Sequence, residues 1–127
     1  MAKTIKMERT YHKQEINITE SLMSRINELI SHYPEDKRKS ALLPVLHEVQ
    51  DAHENWLSLE LMDKVAEIIQ IKPIEVYEVV SFYTMYNQKP IGKYMFEFCT
   101  TSPCCLNGAE DLMDYTCEKL GVKPGQV

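Results

Sequence analysis

The chain has 127 residues, 44% of them hydrophobic and 26% charged, which is typical of one globular domain or two very small ones. Its 19 acidic residues outnumber 14 basic ones, and the formal net charge of -5 leaves no basic surface for a phosphate backbone. No apolar run approaches the roughly 20 residues of a membrane-spanning helix, and the N-terminus lacks the pattern of a signal or transit peptide. These features exclude a large multidomain enzyme, nucleic-acid binding and direct membrane insertion, and they predict a cytoplasmic protein.

The N-terminal residues 1–16 are polar and show no sustained period, which predicts an extended arm. Asn17 and Glu20 have the spacing of a capping box, and apolar residues then recur at helical spacing as far as Pro34. The pattern therefore predicts a first amphipathic helix that begins at Asn17.

Three further apolar stripes follow at helical spacing. They predict a second helix over residues 40–53, a third helix that Ser58 caps, and a fourth helix that has Pro73 in its first turn. Residues 17–86 are therefore predicted to form a four-helix bundle.

The pattern changes at residues 87–92, a turn-rich segment where we place the one internal domain boundary. Residues 93–100 alternate in the manner of a β-strand. Residues 109–120 then carry a helical apolar stripe, and Gly121 is a typical C-cap. One strand and one helix cannot form a sheet, so we expect further chain after Val127.

All four cysteines lie near the C-terminus, at Cys99, Cys104, Cys105 and Cys117. Because cytosolic thiols stay reduced, metal ligation or simple burial is expected instead of disulfides. Cys99 and Cys104 flank one short loop with C-x4-C spacing, which would let both thiolates reach a single iron or zinc, although two buried small residues explain the spacing equally well. Cys105 projects about 100° away from Cys104 on a helix, and Cys117 lies on an apolar stripe, so structural roles are predicted for both.

His47 and His53 are six residues apart and do not have the i, i+4 spacing of a metal-binding pair on a helix, so we expect His47, Asp51 and His53 to be solvated polar residues. Trp56 is predicted to be a packing anchor between two helices. The sequence contains no phosphate-binding glycine loop and no nucleophile motif, so no catalytic residue is predicted.

Three segments together resemble one known family. They are RKSALLPVLHEVQDAH, MDKVAEIIQIKPIEVYEVVSFYTMYNQKPIGKY and CTTSPCCLNGAEDL. From about Arg38 to Val127 the chain resembles the small 2Fe-2S thioredoxin-like subunit of NADH-quinone oxidoreductase, respiratory complex I. The resemblance implies an α+β fold in which a helical bundle precedes a thioredoxin-like ferredoxin domain, with residues 87–127 forming the start of that domain.

The resemblance also implies a ligand set. In that family a C-x4-C pair and a C-x3-C pair hold the 2Fe-2S cluster, and Cys99 and Cys104 match the first pair. Two further cysteine ligands are expected beyond Val127, since such a cluster needs four protein ligands. Cys105 does not match a ligand of the family.

The function that the resemblance implies is electron transfer. The cluster would exchange electrons with FMN on a partner flavoprotein subunit that binds NADH, at the inner face of the membrane. No site for NADH, flavin or quinone is evident in residues 1–127, so the chain would belong to an oxidoreductase without performing its chemistry alone. The hydroxyls of Thr100 and Thr101 and the backbone amides of residues 100–103 are the nearest groups that could tune the cluster.

Two alternatives remain open from the sequence. One is the equivalent subunit of an NAD-linked hydrogenase or formate dehydrogenase. The other, if the chain ends at Val127, is a helical interaction module without a cofactor.

Overall fold

A computed structural model of the chain describes residues 13–126, so most of the predicted N-terminal arm lies outside the described residues. The chain divides into two compact units, one ending at Pro90 and the other beginning at Ile91. The helices are α1 (Glu20–Ser31), a 3₁₀ helix (Glu35–Ala41), α2 (Leu42–Ala52), α3 (Leu59–Ile69), α4 (Pro73–Phe82), α5 (Ser102–Leu106) and α6 (Ala109–Leu120). Within residues 13–126, no helix is both long and apolar enough to cross a membrane.

Helix α1 is capped two residues later than predicted. Its N-cap is Thr19, whose hydroxyl accepts a hydrogen bond from the Leu22 N–H at 3.3 Å. Asn17 instead donates its backbone N–H to Nε2 of His53 at 3.2 Å. The predicted capping box is therefore wrong, because a contact that is distant in sequence holds Asn17 outside the helix.

The predicted second helix is also shorter than its apolar stripe. Residues Glu35–Ala41 form a 3₁₀ helix, and α2 begins only at Leu42. Pro44 explains the delay, since its ring would clash with the carbonyl of Ser40 in a continuous α-helix. Within α2, Pro44 lies in the first turn, where the missing N–H costs no helical hydrogen bond.

Helices α3 and α4 begin where the sequence predicts. The Ser58 hydroxyl accepts a hydrogen bond from the Leu61 N–H at 3.2 Å, and Pro73 is the first residue of α4. The C-cap residue of α3 is Gln70, whose φ of 66° puts it in the left-handed region. That turn allows α4 to fold back and pack against α3.

The core of the first unit consists of apolar side chains from all four of its α-helices and the segments between them. Trp56 is 3% exposed, which agrees with its predicted packing role. The fully buried large side chains are Ile26, Leu42, Val45, Leu46, Val49, Leu57, Leu61, Val65, Ile69, Val76 and Val80. Their burial supplies the hydrophobic stabilisation of this unit.

A buried amide on α2 binds the segment that follows α4. Gln50 is 6% exposed. Its Nε2 donates to the Met85 carbonyl at 3.2 Å, and its Oε1 accepts from the Asn87 N–H at 2.8 Å. The Asn87 carbonyl in turn accepts from the Leu57 N–H at 2.7 Å. The segment up to Asn87 is thereby fixed to the helical unit.

His53 is 4% exposed, so the prediction that it is a solvated helix residue is wrong. Its Nδ1 lies 2.8 Å from the Val49 carbonyl. Gln14 donates to the carbonyls of His53 and Trp56 at 2.7 and 3.1 Å and accepts from the Ser58 N–H at 3.1 Å. Residues preceding α1 therefore cover this histidine.

The predicted strand at residues 93–100 is not formed, and residues 13–126 contain no β-strand. Side chains on both alternating faces are exposed, as Met95 at 53% and Phe96 at 62% show. A strand is stabilised by hydrogen bonds to a neighbouring strand, and no such neighbour is available in this part of the structure. The β component of the predicted α+β fold is accordingly absent from the described residues.

The second unit consists of two helices joined through Gly108. Helix α6 spans Ala109–Leu120 and ends at Gly121, as predicted. Gly108, with φ at 87°, is the N-cap of α6, and Gly121 has φ at 66°; both are left-handed conformations that favour glycine. Residues 91–126 include no buried side chain.

Candidate metal centre

The structure brings the two cysteines of the C-x4-C pair together. Cys99 lies in the irregular segment before α5 and is exposed, whereas Cys104 lies in α5 and is half-buried. Pro103 lies in the first turn of α5, where a proline is tolerated, so the helix can begin within the short loop between the two cysteines. The Cys104 side chain is close enough to Cys99 to help lower the pKa of its thiol.

The surroundings of Cys99 favour its thiolate. The Thr101 hydroxyl lies 3.2 Å from Cys99 Sγ. This hydroxyl, together with the Thr101 backbone N–H and the Cys104 side chain, lowers the pKa of Cys99 to about 7. The thiolate is the form that binds metals, so the lowered pKa makes Cys99 a better metal ligand than an ordinary cysteine at neutral pH.

Cys105 has the opposite environment. Its Sγ donates to the Thr100 carbonyl at 3.4 Å and lies 3.9 Å from Oε1 of Glu110. Burial, followed by the negative charge of Glu110, raises the pKa of Cys105. A thiol that keeps its proton is a poor metal ligand, so Cys105 differs from Cys99 in this respect.

Cys117 lies on α6 and is half-buried, which is less burial than a core position implies. Across residues 13–126 no three His, Cys, Asp or Glu side chains form a group that could hold a metal ion, including those near His47 and His53. The described residues therefore do not make a complete 2Fe-2S site by themselves, since such a cluster takes four protein ligands.

Thr101 is a functional candidate that the sequence could not separate from Thr100. Both threonines follow Cys99 directly, and both carry the same hydroxyl. In the structure the Thr101 hydroxyl faces the Cys99 sulfur, whereas Thr100 presents its carbonyl to Cys105. Only the side-chain and backbone geometry distinguishes the two.

Comparison with known proteins gives a match to the family described as thioredoxin-like 2Fe-2S ferredoxin, over residues 26–127. An NADH-quinone oxidoreductase subunit of Rickettsia conorii is 40% identical over 114 residues, which are 90% of this chain and 64% of the relative. The corresponding protein of Rickettsia bellii is 39% identical over 105 residues, 83% of this chain and 63% of the relative.

A third relative is the mitochondrial NADH dehydrogenase (ubiquinone) flavoprotein 2 of Dictyostelium discoideum. It is 38% identical over 110 residues, which are 87% of this chain and 44% of the relative. The chain thus spans between 44% and 64% of the length of these three relatives.

Proposed function

Because the chain belongs to the thioredoxin-like 2Fe-2S ferredoxin family, we propose that it is part of an electron-transfer subunit of NADH-quinone oxidoreductase, in which Cys99 and Cys104 ligate a 2Fe-2S cluster. The observation that carries this proposal is the environment of Cys99, where the Thr101 hydroxyl lies 3.2 Å from the sulfur and, with the Thr101 N–H and the Cys104 side chain, lowers the pKa to about 7. A 2Fe-2S cluster takes four protein ligands, so two sulfurs besides this pair are required.

The two units have separate roles in this proposal. The four-helix bundle is assigned to residues 17–86, and the start of the thioredoxin-like ferredoxin domain to residues 87–127. The division of the chain between Pro90 and Ile91 supports an assignment of this kind. The first unit has its own apolar core and contributes structure, while the cysteine pair lies entirely in the second unit.

The residues of this chain hold and tune the cofactor. A bound 2Fe-2S cluster supplies the capacity to take up and release one electron at a time. Cys99 and Cys104 would bind one iron through their thiolates, and the Thr101 N–H and hydroxyl groups would stabilise the negative charge on the Cys99 sulfur. Because Cys99 is exposed, a redox partner can approach this side of the site closely.

The partner that we propose is a flavoprotein that binds FMN and NADH, within a complex that lies peripherally on the inner face of the membrane. The names of the relatives, which refer to NADH dehydrogenase and NADH-quinone oxidoreductase, support this assignment. A tagged chain purified from its own cells should carry with it a protein that contains FMN. A purified complex without flavin would contradict this part of the proposal.

The ligand assignment is tested with four single variants of the cluster-loaded protein. Cys99→Ser and Cys104→Ser replace a soft thiolate by a harder oxygen, so each should lose or strongly weaken the cluster. Cys105→Ala and Cys117→Ala are the matched controls and should keep it. Electron paramagnetic resonance of the dithionite-reduced protein, with iron and acid-labile sulfide content, reports the cluster directly.

A full cluster signal in both serine variants would contradict the assignment, and so would its loss in Cys105→Ala. Two irons and two sulfides for each wild-type protein are expected. A wild-type protein without iron or sulfide would refute the proposed function as a whole.

A further inference from the structure

Thr101 has two separate contacts in the loop that joins the two cysteines. It is the N-cap residue of α5, with φ at -76° and ψ at 160°, and its carbonyl accepts the Cys105 N–H at 2.9 Å. A threonine at this position usually uses its hydroxyl to accept a backbone N–H of the first helical turn. Here the hydroxyl makes no such capping bond, and it lies 3.2 Å from Cys99 Sγ.

The direction of this hydrogen bond follows from the chemistry of the sulfur. A metal-bound or free thiolate has no proton to donate, so it only accepts hydrogen bonds. The Thr101 hydroxyl has one O–H, and it must therefore be the donor once Cys99 has lost its proton. The backbone bond to Cys105 holds Thr101 in the orientation that this donation needs.

Resting on the proposed function, we propose that Thr101 is a positioning residue that raises the reduction potential of the bound cluster by donating its hydroxyl hydrogen bond to Cys99 Sγ. Reduction adds one negative charge to the cluster and its sulfur ligands. A donor hydrogen bond to sulfur stabilises the more negative state more strongly, so it favours reduction.

The size of the effect is limited by the exposure of Cys99. Water can partly replace a lost hydroxyl donor at an exposed sulfur. We therefore expect removal of the hydroxyl to lower the equilibrium constant for one-electron reduction about threefold to tenfold. At about 59 mV for each factor of ten, this is a shift of about 30 to 60 mV to lower potential.

The test compares three variants of the cluster-loaded protein, isolated as it occurs in its complex. Thr101→Val removes the hydroxyl and keeps the shape of the side chain, whereas Thr101→Ser restores the hydroxyl. Thr100→Val is the matched control, because it makes the same substitution at the neighbour whose carbonyl contacts Cys105. The midpoint potential is measured by a redox titration followed by electron paramagnetic resonance.

We expect a lowered midpoint potential in Thr101→Val, recovery of most of the shift in Thr101→Ser and no change in Thr100→Val. Equal potentials in Thr101→Val and Thr100→Val would overturn the inference while leaving the proposed function intact. Failure of Thr101→Ser to restore the potential would overturn it as well.

A variant that fails to assemble its cluster is also informative. Thr101→Ala lacks the hydroxyl and is smaller, so it repeats the comparison if the branched valine disturbs α5. Loss of the cluster in both Val and Ala variants, with retention in Thr101→Ser, would overturn the inference, because the hydroxyl would then hold the cluster instead of setting its potential. If the wild-type protein itself binds no iron, the proposed function fails first and this inference fails with it.

Discussion

Replacing the buried amide of Gln50 by leucine tests how the first unit holds its C-terminal segment. Leucine is close to glutamine in size but has no polar atoms, so the bonds to the Met85 carbonyl and the Asn87 N–H would both be lost. Each hydrogen bond contributes about 1 kcal/mol net, and a backbone group left without a partner in the interior costs roughly 1–3 kcal/mol more. Met85 is exposed and Asn87 half-buried, so water can reach them in part.

The lost hydrogen bonds and the partly unsatisfied backbone groups together should lower the free energy of unfolding by about 2–4 kcal/mol in Gln50→Leu. Urea unfolding followed by Trp56 fluorescence measures it directly. Trp56 is the only tryptophan of the chain and is buried in the first unit, so its emission reports this unit alone. The denaturation midpoint should fall while the slope with urea concentration stays unchanged.

The matched control is Gln88→Leu, the same substitution at an exposed glutamine whose Nε2 donates to the Val80 carbonyl at 3.3 Å. Surface changes of this kind are usually within about 0.5 kcal/mol. Equal unfolding free energies for the two variants would refute the reasoning, because burial of the amide would then have no energetic consequence.

Two further predictions concern single residues. Burial, and then the neighbouring Tyr83, raises the pKa of Tyr86 to about 12, above the value of about 10 in an unfolded chain, so stability should fall as pH rises from about 10 to 12. Tyr86→Phe should remove this part of the fall in the urea midpoint. At neutral pH it should lower the free energy of unfolding by about 1 kcal/mol, because the hydrogen bond from the hydroxyl to the Leu43 carbonyl is lost. A pH profile of stability that is the same in Tyr86→Phe and the wild type would contradict the role assigned to Tyr86. Gly108→Ala should lower the free energy of unfolding of the second unit by about 1–2 kcal/mol, because the left-handed backbone at this position strains a residue that has a Cβ. A steric clash does not contribute, since a Cβ there meets no atom closer than 4.0 Å. On heating, Gly108→Ala should lose its helical circular dichroism signal at a lower temperature than the control variant Gly92→Ala. The same melting curve for both variants would count against backbone strain at Gly108.

Helix α6 shows what the sequence can predict well. Its bounds at Ala109 and Leu120 and its cap at Gly121 follow from signals within a few residues of one another. The same holds for Ser58 and Pro73 at the starts of α3 and α4. Local preferences suffice where the contacts that decide an element are local.

The predictions that are wrong concern residues whose structure depends on contacts distant in sequence. Alternation predicts a strand at residues 93–100, but alternation does not supply the neighbouring strand that a β-strand needs. The predictions for His53 and Asn17 are wrong because the bond between them joins residues 36 positions apart. At the candidate site, the C-x4-C spacing indicates the cysteine pair, whereas the role of Thr101 depends on a side-chain orientation that spacing does not encode.

The absence of any buried side chain in residues 91–126 has a consequence for how a cofactor would be acquired. Segments with few buried contacts open locally at a small free-energy cost. A cluster delivered to Cys99 and Cys104 would therefore not have to wait for the whole protein to unfold. Because the free energy of metal binding contributes to folding, a bound cluster would also stabilise this unit, whereas the helical unit has an apolar core of its own.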